Sequence, residues 1–147
     1  MSGVLTSLAI AVSALAAPPS SSAGPNWNGN YGKALFVAKM DRKPLLIVLD
    51  RPSDEGNRVE QVAYKGNQLT NSLLRPYQLC HVDVTTEYGK SVARAFRTTS
   101  FPYTAIIDKT GSRIIYQKSC RFRSQDWVGA LVKFRAGIRV AAKICFK

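Results

Sequence analysis

The sequence is poor in the residues that build most catalytic centres. Its 147 residues include one histidine, His81, and three cysteines, Cys80, Cys120 and Cys145. A single imidazole excludes a multi-histidine metal site, and it leaves no second imidazole for a triad of the serine or cysteine hydrolase kind. Three scattered cysteines are too few for a disulfide framework or a zinc site. We therefore expect no metal and no cofactor, and we interpret His81 as a packed or surface residue.

Acidic residues are also scarce. Nine Asp and Glu stand against 21 Lys and Arg, which gives a formal net charge of +12. Such a charge attracts anionic partners such as acidic proteins, phospholipid headgroups or nucleic acid, but composition alone does not choose among them. From residue 113 onward the sequence contains nine Lys and Arg and one acid.

The basic end of the chain has a regular spacing. Arg135, Arg139, Lys143 and Lys147 follow one another at intervals of four residues, which would align them along one side of a helix. Gly137 argues for a break within this series. These four cations are either a docking surface for an anionic partner or a solvated face, and the sequence leaves both open.

Charge is absent from the start of the chain, where the first charged side chain is Lys33. Residues 4–17 form a mostly apolar stretch that is too short to span a bilayer but suits the hydrophobic part of a secretory signal. The segment Ala14-Leu15-Ala16 has a small-x-small cleavage pattern, although no basic residue precedes it. Residues 1–25 are thus either a cleaved signal with a Pro/Ser linker, which predicts a periplasmic or secreted protein, or an unprocessed leader of a soluble intracellular one.

The remaining residues predict one α/β domain over 26–136, followed by a basic tail over 137–147. Apolar runs and turn signals predict the order α-β-α-β-α-β-β-α. The predicted helices are 27–40, 59–74, 85–96 and one that starts at 124–126, and the predicted strands are 45–49, 79–84, 103–108 and 113–117. Parallel strands joined by helices and then a hairpin predict a mixed sheet with helices on both faces.

Two motifs resemble the thioredoxin superfamily. Residues 34–49 (ALFVAKMDRKPLLIVL) resemble the A-x-x-x-A-K-x-x-x-K-P-strand start of the group related to exported thiol reductases. Residues 95–111 (AFRTTSFPYTAIIDKTG) resemble that family's signature, in which an aromatic residue is followed by a hydrophobic-Pro pair, a strand and Asp-x-x-Gly. The resemblance covers residues 27–134 and implies a thioredoxin-like three-layer α/β fold with a central mixed β-sheet. It also implies that Pro102, after Phe101, is the cis-proline beside the active-site groove.

The sequence departs from the family at the redox centre. In the family, the loop after the first strand carries C-x-x-C, but here no cysteine precedes Cys80. One register places Asp54 and Asn57 at the cysteine positions, and a shift of two residues places Gly56 and Val59 there. Neither supplies a sulfur, so dithiol-disulfide exchange by the family mechanism cannot operate.

Three functions stay open at this point. The leading hypothesis is a redox-inactive, exported thioredoxin-like domain that is a protein-binding or structural module, with a groove formed by Asp54, Asn57, Phe101, Pro102 and Tyr103. Asp54 and Glu55 are adjacent acids at a predicted helix start, which indicates capping rather than acid-base catalysis.

The first alternative is a thiol-disulfide oxidoreductase-like protein that uses Cys120, with Cys80 or Cys145 as the resolving thiol. Basic neighbours favour a reactive Cys120, but a buried or incidental cysteine is the preferred interpretation. The second alternative is a basic protein that associates with nucleic acid or an anionic surface. No nucleic-acid-binding motif is present, and the two tryptophans fall at predicted core positions.

Overall fold

The computed structural model describes residues 25–54, 68–120 and 124–139. Within these ranges the chain forms four helices and four strands in the predicted order. They are α1 Tyr31–Asp41, β1 Leu45–Asp50, α2 Gln68–Leu74, β2 Gln78–Asp83, α3 Glu87–Ala95, β3 Tyr103–Ile107, β4 Ile114–Ser119 and α4 Ser124–Phe134. No helix in the described ranges combines the length and apolar character that a membrane span requires.

The four strands form one mixed sheet in the order β2-β1-β3-β4. Strand β1 pairs parallel with β2 and antiparallel with β3, and β3 pairs antiparallel with β4. Every residue of β1 is buried, as its continuous apolar run predicts for a central strand that is covered on both faces. The predicted α/β fold with a mixed sheet is confirmed.

Two hydrophobic layers cover the sheet. Side chains alternate along a strand, so Leu45, Ile47 and Leu49 lie on one face of the sheet. Two helices cover this face, and the covering residues are Ala34 and Ala38 of α1 and Val92 and Ala93 of α3. Leu46 and Val48 pack on the other face, where the covering residues include Leu74 of α2 and Trp127, Leu131 and Phe134 of α4. Helices α1 and α3 therefore cover one face, and α2 and α4 cover the other.

The first helix begins at Tyr31, later than the sequence predicted. Asn30 has an extended backbone and caps the helix, because its side chain accepts a hydrogen bond from the Lys33 N–H at 2.9 Å. Before the cap, Asn28 forms a parallel bridge with Cys80 on the outer side of β2. The residues before Tyr31 thus cover an edge of the sheet instead of extending the helix.

The hairpin between β3 and β4 is held by Asp108. Its carboxylate accepts hydrogen bonds from the N–H groups of Ser112 and Arg113 at 2.8 and 3.2 Å and from the Thr110 hydroxyl at 2.8 Å. Burial acts to raise the pKa of Asp108, but these hydrogen bonds outweigh it and lower the pKa. Strand β4 extends to Ser119, beyond its predicted end at residue 117. The predicted helical residues 59–67 lie outside the described ranges.

Candidate binding groove beside the cis-proline

Four strand ends lie at one edge of the sheet. Tyr103, the first residue of β3, pairs with Leu49 near the end of β1 and with Ser119 at the end of β4. Strand β2 also ends here, since it is parallel to β1 and Asp83 pairs with Asp50. The bond between Phe101 and Pro102, just before β3, is cis. We call this end of the sheet the cis-proline edge.

The predicted groove residues at this edge differ in exposure. Pro102 is fully buried and Tyr103 is 3% exposed. The Tyr103 hydroxyl donates to Gln117 Oε1 at 3.0 Å, and burial raises its pKa. Phe101 is half-buried. Of the three predicted residues around the cis bond, Phe101 is therefore the one that a partner can contact, while Pro102 and Tyr103 support it from below.

A groove of about 440 Å³ opens beside Phe101, between the start of the loop after β1 and helix α3. Its walls carry three cations and one acid, with apolar and hydroxyl side chains between them: Arg51, Lys90, Arg94, Glu87, Val84, Ala93, Phe101, Thr98 and Thr99. The Arg51 guanidinium carbon lies 5.3 Å from the centre of the Phe101 ring. This is a cation–π contact that holds the cation against the aromatic wall.

The three cations of the groove were not predicted from the sequence. Glu87, Lys90 and Arg94 have the spacing that places side chains on one side of a helix, and they follow the N-cap Thr86 of α3. This spacing could have predicted that the three side chains share one side of α3. The proximity of Arg51 to α3 could not be predicted from the sequence, because it depends on how the ends of β1 and β2 meet in three dimensions.

Glu87 and Lys90 form an ion pair on the groove wall. Lys90 Nζ lies 2.6 Å from Glu87 Oε1, and the hydrogen bond and the charge of Lys90 lower the pKa of Glu87. Both side chains are exposed, so this pair contributes little to stability. It does keep one carboxylate charged beside the cations at ordinary pH.

The loop after β1 is described only as far as Asp54. Asp54 is exposed, and its N–H donates to the Arg51 carbonyl at 3.0 Å in a turn. Asn57, the second residue predicted at a lost cysteine position, lies outside the described ranges, as do Glu55, Gly56 and Val59. Its place in the groove stays a prediction.

His81 is paired with an acid that sequence analysis did not single out. Its Nε2 lies 2.6 Å from Oδ1 of Asp50. Asp50 is 1% exposed and the His81 side chain 24% exposed. Asp50 follows Leu46 and Val48 at two-residue intervals, and His81 follows Leu79 in the same way, so both lie on the sheet face covered by α2 and α4, away from the groove. The sequence left His81 as a packed or surface residue, and its half-buried side chain has features of both.

The two described cysteines differ sharply. Cys80 is completely buried in β2, and burial raises the pKa of its thiol to about 12. Cys120 is exposed, with a φ of 70° directly after β4 ends at Ser119. Of the two interpretations of Cys120 as a buried or an incidental cysteine, burial is excluded, because the chain turns out of the sheet at this residue.

Cys80 cannot be a direct resolving thiol for Cys120. Strands β1 and β3 lie between β2 and β4, so three strand spacings, about 14 Å in all, separate the two positions. A disulfide requires Cα atoms within about 7 Å. That pairing in the oxidoreductase hypothesis is therefore wrong, and Cys145, the other resolving candidate, lies outside the described ranges.

We expect the two thiols to react at very different rates. With iodoacetamide at neutral pH, native protein should be alkylated at Cys120 within minutes, whereas Cys80 should react only after denaturant is added, because it is buried and protonated. Peptide mapping by mass spectrometry assigns the label to each cysteine. Equal labelling of both thiols in native protein would contradict the burial of β2.

The described part of the basic end, residues 135–139, does not continue α4. That helix ends at Phe134, and Gly137 has a φ of 64° and accepts a hydrogen bond from the Lys109 N–H at 3.0 Å. The break predicted at Gly137 is thus present. Arg135 and Arg139 are both exposed, but they do not share one helix. Lys143 and Lys147 lie outside the described ranges.

No protein-family model and no curated protein matches the sequence, but solved structures resemble the fold. A thioredoxin from Thermus thermophilus is 17% identical with a TM-score of 0.59, over 73% of this chain and 86% of that chain. A disulphide isomerase from Xylella fastidiosa is 17% identical with a TM-score of 0.56, over 70% and 86%. A structure described as DsbH oxidoreductase is 18% identical with a TM-score of 0.58, over 88% and 96%. The chain therefore has the thioredoxin-like fold that its motifs predicted.

Proposed function

We propose that this chain is a redox-inactive thioredoxin-like module that binds a protein partner at the groove beside Phe101. The observation that carries the proposal is the groove itself. It lies at the cis-proline edge, it places an aromatic ring among three cations, and no thiol lines it within the described ranges. Some structural neighbours are described as oxidoreductases or isomerases, but the C-x-x-C centre needed for that chemistry is absent from this sequence.

The chemistry of the groove suits protein recognition. Aromatic side chains and arginine are enriched at the energetically important positions of interfaces. Phe101 and Arg51 contact each other, so part of the surface is ordered before a partner arrives, which lowers the entropy cost of binding.

The apolar stretch over residues 4–17 supports export of the module. The N-terminal residue of the mature protein, determined by mass spectrometry, tests whether the leader is cleaved.

The redox part of the proposal is tested by insulin reduction with dithiothreitol. We expect no acceleration above the uncatalysed rate, because the sequence has no C-x-x-C pair to supply a nucleophilic and a resolving thiol. The exposed Cys120 at the cis-proline edge favours a second candidate function. Its thiolate would attack a partner disulfide, break that S–S bond, form a mixed disulfide and release the partner's other sulfur as a thiolate, and dithiothreitol would then resolve the mixed disulfide. Turnover that disappears in Cys120→Ser would reject redox inactivity and support that function instead.

The binding part is tested by peptide selection. Peptides selected from a random display library on the wild-type protein should bind Phe101→Ala at least about tenfold more weakly, as expected when a central aromatic anchor is removed. Phe36→Ala is the matched control, because Phe36 is 65% exposed on α1, outside the groove. Phe101→Leu keeps an apolar side chain and should give an intermediate affinity. Selected peptides that bind Phe101→Ala and wild type equally would reject the groove as the binding site.

A further inference from the structure

We infer that the partner contributes an acidic peptide segment, whose carboxylates bind Arg51 and Arg94 while apolar residues between them contact the floor of the groove. This inference rests on the proposed function, since it identifies what the protein-binding groove accepts. It concerns a segment of a few residues in which Asp or Glu is interspersed with apolar side chains.

The first support is the distribution of charge. Lys90 is engaged by Glu87 at 2.6 Å, but within the described ranges neither Arg51 nor Arg94 forms a close ion pair. Both arginines are exposed on the groove wall. Exposed cations that line one cleft without a close ion pair favour an anionic ligand, although the charge of Arg94 also acts on Glu87. Arginine also offers a planar fork of N–H donors that matches a carboxylate.

The second support is the position of Arg51 against Phe101. At 5.3 Å from the ring centre, the guanidinium is held by the aromatic side chain. A cation–π contact uses the charge of the guanidinium and leaves its N–H groups able to donate hydrogen bonds to a ligand. Arg51 is therefore placed to bind a carboxylate with part of its side-chain entropy already lost.

The third support is the mixed character of the lining. Val84 and Ala93 are buried and Phe101 is half-buried, so the groove has an apolar floor beneath its charged rim. Thr98 and Thr99 add hydroxyl groups that can hydrogen-bond a peptide backbone. A segment that carries only charges would leave this floor unused, whereas alternating acidic and apolar residues match both features.

Glu87 argues for a peptide over a nucleic acid. Its carboxylate is highly exposed on the same wall as Arg94, and it would repel a backbone that carries a negative charge at every phosphate. A peptide can place an uncharged residue opposite Glu87 and carboxylates opposite the arginines. The groove volume of about 440 Å³ also suits a few side chains and not a long strand.

The test uses the full chain and two fluorescent peptides, one rich in Glu and Leu and one of the same sequence with Gln for Glu. We expect the Glu peptide to bind more tightly, by about tenfold, in a fluorescence anisotropy titration. The double variant Arg51→Gln/Arg94→Gln should lose about the same factor and show a weaker dependence on salt. Lys43→Gln/Lys109→Gln is the control, because both lysines are exposed at the opposite end of the sheet and the net charge falls equally, from +12 to +10.

The outcomes separate this inference from the proposed function. The inference is overturned if the Glu peptide does not bind, if both peptides bind equally, or if both double variants lose the same affinity. Equal competition by a single-stranded oligonucleotide of matched charge would also overturn it, because the groove would then accept any polyanion. If display-selected peptides require Phe101 but not Arg51 and Arg94, the acidic preference fails while the protein-binding groove stands. If no peptide requires Phe101, both fail.

Discussion

Gly89→Ala is expected to destabilise the protein by about 3 kcal/mol or more, near the upper end of the cost of overpacking a core. Gly89 is buried in α3, where the helix crosses the end of β2. A Cβ atom at this position would lie 1.9 Å from the Asp83 carbonyl oxygen and 2.8 Å from the Val84 Cα. These are backbone atoms, so no side-chain rotation can relieve the clash.

The helix would have to move away from the sheet instead. That displacement would separate Val92 and Ala93 from the core that they share with β1. It would also move Lys90 and Arg94, which line the groove. We therefore expect Gly89→Ala to lose peptide binding together with stability, and chemical denaturation followed by circular dichroism measures the second effect.

Gly129→Ala provides the matched control. Gly129 also lies inside a helix, α4, but a Cβ there would meet no atom within 4 Å. Because alanine has the higher helix propensity and restricts the unfolded chain, this change should stabilise the protein by about 0.5–1 kcal/mol. Similar effects of the two substitutions would contradict the close packing of α3 on β2.

The fold was predictable because local signals agreed with the global arrangement. The apolar run before Asp50 identified a central strand, and the Phe101-Pro102 motif placed the start of β3. Thr86, next to the predicted helix start at residue 85, caps α3 with its hydroxyl accepting from the Gly89 N–H. Where such signals were weak, boundaries shifted. The start of α1 was predicted too early because the pairing of Asn28 with β2 is a long-range contact.

The site was less predictable because it depends on long-range geometry. Arg51, Lys90 and Arg94 meet only because β1 and β2 end at the same edge. The exposure of Cys120 depends on a left-handed turn at a residue whose sequence context predicts no turn. Gly89 resembles an ordinary weak helix position in the sequence, and its packing role appears only when the backbone of Asp83 is in place.

The pairing of Asp50 with His81 has the same origin. In the parallel register of β1 and β2, Val48 lies opposite His81 and Asp50 lies opposite Asp83. The acid and the imidazole are thus diagonal neighbours on one face of the sheet, 2.6 Å apart. A shift of the register by one residue would place them on opposite faces. The sequence predicted both strands but not this register.

We expect the cost of disrupting this pair to depend on which partner is changed. His81→Leu removes one hydrogen-bond partner of a carboxyl group that is only 1% exposed, and losing a hydrogen bond to such a buried group should cost about 1.5–3 kcal/mol. His81→Gln retains an N–H donor and should cost less. Asp50→Asn should cost only about 1 kcal/mol, because the side chain keeps its shape and a hydrogen-bonding oxygen, and the 24% exposed His81 can also bind water.

The double variant Asp50→Asn/His81→Leu distinguishes a charge effect from a packing effect. If the loss in His81→Leu arises from the buried carboxylate, neutralising Asp50 should recover part of the stability, so that the double variant is more stable than His81→Leu alone. Denaturant unfolding of the four proteins at neutral pH gives the coupling free energy. Strictly additive losses would instead show that His81 contributes through packing between Leu79 and its neighbours, and that the short contact with Asp50 has little net effect on the stability of the sheet.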